Sequence, residues 1–269
     1  MPSNAPDLVP VHGGLDAPVD RTVPLTERAA LLAEAERLPS AVITKADVSA
    51  LYRMADGALS PLTGPMRKAA YDLALDEKVV ESAGKRYAWT IPIAFPLTDA
   101  EAAGIATGGS VAIRGEEGAV VAIVDDAEVF DWDKSRYVEK VYGTPRFDHP
   151  GGRMVESDPR GKLLGGELRA LPQPINSEYG EFMLSPIEVR ARIRARKWKR
   201  ALAFQTRNPL HRAHEYALVA GAERLTAEGH FTGVVLNPLV GELKGDDVPA
   251  SMRMRCYRKL HGDRLLGQG

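Results

Sequence analysis

The order of predicted elements in the last third of the chain constrains its fold more than any other feature. Ala201–Phe204 is a short apolar run typical of a buried parallel strand, and a helix is predicted to begin near His211. The strand Thr232–Leu236 and the helix Ser251–Leu260 repeat this order. The predicted apolar face of the first helix consists of Tyr216, Ala217, Ala220 and Leu225. Because alternating strands and helices are typical of a doubly wound parallel sheet, we predict an α/β domain here.

The first half of the chain is richer in predicted strands. A hairpin is predicted to pair Ser110–Arg114 with Ala119–Val124 through a turn that ends at Gly118. The other predicted elements are a helix over Glu27–Leu38 capped by Thr26, a helix over Asp47–Ala55 that ends at Gly57, a short helix through Tyr71 and Leu75, and a strand over Tyr87–Phe95. This order favours an α+β domain built around a small barrel or sheet.

A stretch rich in glycine and proline separates the two halves, between Tyr142 and Pro174. Because its composition is typical of loops, we place the domain boundary there, with one domain over residues 1–170 and the other over 171–269. After it, Ser185-Pro-Ile-Glu188 has the pattern of a capping box with proline at the first helical position. A helix is predicted from there to about Lys197, although its apolar residues alternate with the period of two that is typical of a strand.

The composition excludes several classes of protein. The 269 residues include 35 Lys and Arg against 36 Asp and Glu, and the net charge of -1 gives no overall attraction to nucleic acid or to an anionic membrane. No apolar run reaches the roughly 18 residues that a membrane-spanning helix needs, so we expect a soluble protein. Because the sequence has a single cysteine, Cys256, and no export signal, we expect a cytoplasmic location.

The densest group of polar side chains lies between Phe204 and Glu215. There a predicted strand leads into a helix, which is the position at which α/β sheets bind ligands. The helix start is expected to offer unpaired amides and a positive dipole end, both of which favour phosphate groups. His211 and His214 lie on the first turn of this helix, and the guanidinium of Arg207 matches a tetrahedral oxyanion. Further hydrogen-bond donors are Gln205, Thr206 and Asn208.

Less specific explanations of the same segment exist. A HxxH pair is often an accident of a polar helix face, and Asn208-Pro209 alone is a common turn. Zinc binding is set aside because the metalloprotease pattern HExxH has its histidines four residues apart and no third ligand is evident here, so we predict no protein ligands to a metal. The concurrence of so many polar groups within ten residues favours an anion site.

Several motifs resemble those of one known family. The run Gln205-Thr-Arg-Asn-Pro-Leu-His-Arg-Ala-His214 resembles the QxRNPxHxxH signature of the ATP sulfurylase (sulfate adenylyltransferase) family. Leu59-Ser-Pro-Leu-Thr-Gly64 resembles the SPLxGF motif of that family, with Pro65 in place of phenylalanine. The segment Val141–Gly151 resembles its domain-closing loop. The stretch that resembles the segment after its second catalytic strand contains Pro238-Leu-Val-Gly241, Lys244, Asp246, Asp247 and Arg253.

This resemblance implies a fold and an activity. The implied fold is an N-terminal PUA-like β-barrel followed by a partial Rossmann-like nucleotidyltransferase domain. The implied reaction converts ATP and sulfate into adenosine 5'-phosphosulfate and pyrophosphate, in sulfate assimilation. Mg²⁺ is expected to bind with ATP, chiefly through ATP oxygens and water. Members of the family are commonly oligomeric, so a homo-oligomer is expected.

The match of the motif also implies roles for individual residues. Gln205 and Arg207 would hold sulfate. The catalytic residues would be Thr206, Arg207, Asn208, His211 and His214. The residues that contact ATP would be Gln205, Thr206, Arg207, Asn208, His211 and His214.

The sequence departs from the family pattern at two points. The second signature of the family, GRDHAG, does not occur before Gly269, so we expect a fragment, a natural truncation or a site completed by a second polypeptide. Asn237 stands where many members have histidine, and asparagine donates a hydrogen bond without carrying charge. A catalytically silent, sulfurylase-like subunit is therefore an alternative to the active enzyme.

Two further alternatives remain open. An enzyme that adenylylates an organic phosphate would use Arg207 equally well. An RNA-binding PUA-like module would use the basic tract formed by Arg190, Arg192, Arg194, Arg196, Lys197, Lys199 and Arg200. Because Trp198 is the one aromatic side chain in that tract and RNA stacking needs several, a solvated helix face is favoured and nucleic acid is not expected as a partner.

Overall fold

The structure is a computed structural model that describes residues 8–240 and 248–262, with side chains up to residue 260. The chain divides into two compact units. The first, called the barrel unit here, is Pro10–Ile187, and the second, called the α/β unit, is Glu188–Gly269 together with Met1–Val9. The domain boundary that composition predicts near residue 170 stays a prediction.

A five-stranded sheet forms the centre of the barrel unit. Its strands, in spatial order, are β1 (Ser40–Ile43), β5 (Val111–Gly115), β6 (Val120–Asp131), β7 (Lys162–Ala170) and β4 (Phe95–Leu97). The pair β1 and β5 is parallel and the other neighbours are antiparallel. The edge strands β1 and β4 approach each other, so the sheet curls into a nearly closed barrel, as the predicted fold class requires.

Short helices and a small hairpin surround this sheet. They are α1 (Arg28–Ala35), α2 (Lys45–Ala55), α3 (Lys68–Glu77), α4 (Asp99–Ala103), α5 (Lys134–Tyr142), α6 (Pro150–Ser157), and the antiparallel strands β2 (Val79–Ser82) and β3 (Lys85–Ala88). α2 begins with a capping box, in which the Thr44 side chain accepts from the Asp47 amide and the Asp47 carboxylate accepts from the Thr44 amide. Phe95, Leu51 and Ile43 are fully buried in the core between these elements and the sheet.

Several predicted elements of this unit are confirmed. The predicted hairpin forms, with Val111 paired to Val124, and its turn has Gly118 at a φ of 84°. The second and third helices match α2 and α3. Gly57 follows α2 at a φ of 83°, the left-handed conformation expected after a helix.

Other predictions for this unit are wrong in detail. The first helix begins at Arg28 after a short 3-10 turn over Leu25–Glu27 and ends at Ala35, and no side chain caps it, so Thr26 has no capping role. The predicted strand over Tyr87–Phe95 is divided between β3 and β4. Pro92 lies in the gap, and proline cannot donate a hydrogen bond to a sheet.

The stretch rich in glycine and proline contains more regular structure than its composition predicts. Both α6 and β7 lie within it. Pro150 occupies the first turn of α6, where an amide hydrogen is not needed, and the His149 ring accepts from the Gly151 amide. Gly165 and Gly166 lie within β7, where a Cβ atom would come within 2.3 Å of the Met66 carbonyl and 2.5 Å of the Val124 side chain. These two glycines permit close backbone approach in a strand, so reading them as loop residues is wrong.

The α/β unit follows the predicted alternation. Its elements are α7 (Pro186–Ala195, of which Glu188 onward belongs to this unit), β8 (Arg200–Thr206), α8 (Arg212–Ala227), β9 (Thr232–Pro238) and α9 (Ala250–Gly262). β8 and β9 are parallel, with Arg200 opposite Thr232 and Thr206 opposite Pro238. The helix favoured by the capping pattern at residue 185 forms, and the period of two in its apolar residues does not produce a strand. Gly229 follows α8 at a φ of 86°, as expected.

Two burial predictions for this unit are wrong. β8 is predicted to be buried, but Thr206 is its one residue that is buried, because the described part of the sheet has two strands and α8 contacts them from one side. Tyr216 is predicted to face inward but is 76% exposed, whereas Leu218 is 2% exposed. Gly221, three residues further along the helix, packs against Leu202 of β8, so the buried face of α8 is the face of Leu218 and Gly221.

In the described ranges, no helix is long and apolar enough to cross a membrane.

Candidate anion site at the end of β8

The turn after β8 is fixed by its own backbone and by one hydroxyl. Thr206 is 8% exposed, and its Oγ1 accepts a hydrogen bond from the Asn208 amide at 3.0 Å. The Thr206 carbonyl accepts from the Leu239 amide, just after β9, at 2.9 Å. Arg207 and Asn208 are exposed. A short polar turn is thus held at the carboxyl end of a parallel strand, where α/β sheets bind ligands.

His211 is the N-cap residue of α8. Its Nδ1 accepts a hydrogen bond from the Ala213 amide at 3.3 Å. A neutral imidazole that accepts at Nδ1 carries its hydrogen on Nε2, so His211 can donate to a ligand from that atom. The ring is exposed and lies at the positive end of a helix of 16 residues, where the helix dipole favours an anion.

His214 lies directly against His211. The two rings are stacked, with centroids 3.9 Å apart and an interplanar angle of 28°. On another side, the ring of Phe204 lies 5.3 Å from that of His214. The structure therefore brings the two predicted histidines together at the start of α8. One of their ring nitrogens, Nδ1 of His214, is buried without a hydrogen-bond partner in the described ranges.

The predicted supply of unpaired amides at this helix start is smaller than expected. The Ala213 amide donates to the His211 ring, and the amides of His214 and Glu215 donate to the His211 carbonyl. The capping residue itself satisfies these groups, which the sequence pattern does not show. An anion at this site would depend on side chains and on the helix dipole more than on free amides.

Helix α9 contributes two buried polar side chains that sequence reasoning did not assign to the site. The Tyr257 hydroxyl donates to the Asn208 carbonyl at 2.6 Å, and Tyr257 is 6% exposed. Arg253 is fully buried and donates to the carbonyls of Leu239 and Val248. The signal in the sequence was their spacing of four residues on one helix face, where the adjacent Met254 is also buried.

The parallel register also places Asn237. It lies opposite Gln205, and both residues are exposed. Residues opposite each other in a ladder share one face of the sheet, so Asn237 lies beside a predicted site residue. Gly241, Lys244, Asp246 and Asp247, which the family resemblance includes, lie outside the described residues.

The donor set of this site suits anions. Within residues 8–240 and 248–260, no group of three or more His, Cys, Asp and Glu side chains lies close enough together to hold a metal ion. The polar groups at the turn and helix start include a guanidinium, two imidazoles and neutral donors, which complement phosphate and sulfate oxygens. Such a set suits a polyphosphate, whose own oxygens would carry a divalent cation.

Comparison with known proteins places this architecture in a class. The family model described as a PUA-like domain matches residues 9–173, and the one described as ATP-sulfurylase matches residues 180–267. The molecule is thus a PUA-like barrel followed by a nucleotidyltransferase-like domain, which confirms the predicted fold class. The chain belongs to the ATP-sulfurylase family, and the recognition made from its motifs is confirmed.

Individual relatives agree with this placement. A sulfate adenylyltransferase of Pyropia yezoensis is 46% identical over 98% of this chain and 62% of its own length. One of Symbiobacterium thermophilum is 37% identical over 93% of this chain and 60% of its own length. The chain therefore spans about 60% of the length of these relatives. A solved structure, the hexameric APS kinase from Thiobacillus denitrificans, matches 95% of this chain and 44% of its own with a TM-score of 0.69; at 24% identity it shows likeness of fold alone.

Proposed function

We propose that this chain carries the sulfate adenylyltransferase activity of its relatives, the conversion of ATP and sulfate into adenosine 5'-phosphosulfate and pyrophosphate. The observation that carries this proposal is the turn at the end of β8, which leads directly into the stacked pair His211 and His214 at the start of α8. Family membership supplies the reaction, and the donor set of the turn is suited to two anionic substrates.

The reaction needs orientation and charge stabilisation rather than a base. Sulfate is already a dianion at neutral pH, so one of its oxygens can attack the α-phosphorus of ATP directly. As that bond forms, the bond from the α-phosphorus to the bridging oxygen breaks, and the electron pair leaves with pyrophosphate. Preorganised donors that face the growing negative charge lower the barrier of such a step.

Each site residue is proposed to serve one part of this step. Gln205 and Arg207 hold sulfate. Asn208, His211 and His214 contact the ATP phosphates, where Nε2 of His211 is available as a donor. Thr206 contributes mainly through its buried hydroxyl, which shapes the turn by accepting from the Asn208 amide. Mg²⁺ bound to the oxygens of ATP would supply neutralisation of phosphate charge, and no side chain of the described ranges is proposed as its ligand.

The setting of the reaction is also a proposal. We expect the chain to work in the cytoplasm and to form a homo-oligomer.

The basic tract around α7 does not favour RNA binding. Its one aromatic side chain, Trp198, packs on Gly233, where a Cβ atom would come within 1.9 Å of the ring, and the guanidinium of Arg196 lies 5.7 Å from the ring centroid. Trp198 is therefore engaged within the unit and is not a free stacking platform.

One experiment separates the remaining candidates. The exchange of labelled pyrophosphate into ATP is measured on this chain, with and without adenosine 5'-phosphosulfate. Net ATP formation that requires adenosine 5'-phosphosulfate and pyrophosphate together supports the proposal. The absence of that reaction in a folded sample identifies a silent subunit, and exchange that requires an adenylylated organic phosphate instead identifies a different adenylyl transferase.

A further inference from the structure

The carbonyl groups of two loops beside the candidate site are held by side chains of α9. The Tyr257 hydroxyl donates to the carbonyl of Asn208 at 2.6 Å, across 49 residues of chain. Arg253 donates from Nε to the Val248 carbonyl at 2.8 Å and from its guanidinium to the Leu239 carbonyl. Both side chains are more than nine-tenths buried. One face of α9 thus connects the turn after β8 with the loop after β9.

The hydrogen bond from Tyr257 acts on the centre of the turn. The Thr206 hydroxyl accepts from the Asn208 amide and also donates to the Asn208 carbonyl at 3.4 Å, and Tyr257 supplies the shorter hydrogen bond to that carbonyl, at 2.6 Å. With both ends of the residue fixed, the peptide planes that flank Asn208 cannot rotate freely, and the directions of the Arg207 and Asn208 side chains follow from those planes. Burial raises the pKa of Tyr257, so its hydroxyl keeps its proton through the neutral range.

Arg253 fixes the helix that carries Tyr257. A buried guanidinium is costly unless its donors are satisfied, and the bonds to the Leu239 and Val248 carbonyls offset part of this cost. One of its terminal nitrogens, Nη2, is buried with no partner in the described ranges. Because Leu239 also donates to the Thr206 carbonyl, Arg253 and Tyr257 act on one connected set of backbone groups.

We propose that Tyr257 is a positioning residue for the adenylyl transfer, which aligns Arg207 and Asn208 by holding the Asn208 carbonyl, while Arg253 keeps α9 in register with the loop after β9. The expected effect on turnover rests on the proposed function. The expected effect on the turn rests on the hydrogen bonds alone. A displacement of catalytic groups by about 1 Å lowers rates strongly, so a small change in the turn is expected to alter turnover.

The test compares Tyr257→Phe with Tyr216→Phe. Both substitutions remove one phenolic hydroxyl from the α/β unit, but Tyr257 donates to the Asn208 carbonyl, whereas Tyr216 is 76% exposed on α8. In Tyr257→Phe, kcat is expected to fall about tenfold, the factor that corresponds to one hydrogen bond of typical net strength. KM for ATP should change by less than about twofold, because the lost alignment affects the transition state more than ground-state binding.

Amide hydrogen exchange gives a second readout that does not require activity. The amides of residues 206–213 should exchange about tenfold faster in Tyr257→Phe than in the wild type and in Tyr216→Phe, with the barrel unit unaffected. Unchanged exchange in this segment overturns the proposal, as does a uniform rise across the α/β unit that accompanies a lower melting temperature. If the wild type forms no ATP from adenosine 5'-phosphosulfate and pyrophosphate, the proposed function fails, while hydrogen exchange still decides whether Tyr257 positions the turn.

Discussion

The two units of this chain differ in how their charged and polar side chains are arranged. In the barrel unit, charged side chains lie in networks: Arg169 donates to both Glu34 and Asp125, and Arg136 to both Asp72 and Asp76. In the α/β unit, the exposed Arg207 and His211 lie at the end of a strand beside His214, whose buried Nδ1 has no partner in the described ranges.

This difference separates stability from chemistry. Charges that neutralise each other inside one domain have little left to offer a ligand, whereas a guanidinium and two imidazoles gathered at a helix start favour an anion from solution. The barrel unit also contains a large cluster of buried apolar side chains, around Phe95 and Ile113. The barrel unit thus contains the larger buried core, and the proposed anion site lies in the α/β unit.

The largest effect is expected from removal of the anion donors. Arg207→Ala and His214→Ala should each lower sulfate-dependent pyrophosphate release by about a thousandfold, because the first removes a proposed sulfate ligand and the second removes a proposed donor to the charge that grows on the phosphates. The measurement is steady-state pyrophosphate release with ATP and sulfate. Arg224→Ala is the matched control, since Arg224 lies on α8 with 84% of its side chain exposed and pairs with Glu228. Equal rates in both site variants and the control would contradict the assignment of the site.

A smaller effect, on stability alone, is expected in the barrel core. Phe95 is fully buried in the main cluster, so Phe95→Ala should lower the free energy of unfolding by about 3 to 4 kcal/mol. Leu218→Ala, in the α/β unit, should cost about 2 kcal/mol, because Leu218 belongs to neither buried apolar cluster of the described residues and the cavity can collapse. Guanidinium unfolding followed separately in each unit measures both. If Leu218→Ala lowers the free energy of unfolding more than Phe95→Ala does, the expectation that the barrel core contributes more stability is wrong.

The smallest effect concerns the charge network of the barrel. The hydrogen bond from Arg169 lowers the pKa of Glu34. Burial raises the pKa of Asp125, but bonds from Arg169 and Ser110 outweigh it, and the net pKa is lowered. Carboxylates with lowered pKa values in the folded state stabilise it at pH values above their unfolded pKa values, and this contribution is lost as the pH falls through the folded values. Stability should therefore decline below about pH 5.

Replacement of the shared arginine tests this dependence. Arg169→Met should cost about 1 kcal/mol at pH 7, because the network is partly exposed and solvent screens it, and should make the decline below pH 5 shallower. The free energy of unfolding is measured by urea denaturation from pH 3 to pH 7. Arg37→Met, at an exposed position of the same unit, serves as control. An unchanged pH profile in Arg169→Met would show that these carboxylates do not govern acid stability.

Much of the fold could be predicted from local signals. The strand-helix-strand-helix order, the turn at Gly118 and the exits at Gly57 and Gly229 follow from periodicity and from backbone freedom, which neighbouring residues determine. The residues of the candidate site are contiguous in sequence, so one motif could predict them together. Whether each of them has its predicted role stays a prediction.

What the sequence by itself determined is local: which segments are helices and strands, and that donors for an anion follow β8. Tertiary structure alone decided that Gly165 and Gly166 lie within a strand, that Leu218 rather than Tyr216 faces the sheet, and that Tyr257 reaches Asn208. These outcomes depend on contacts between residues far apart in the chain. Their free energies come from burial and hydrogen bonds with distant partners, which no local pattern contains.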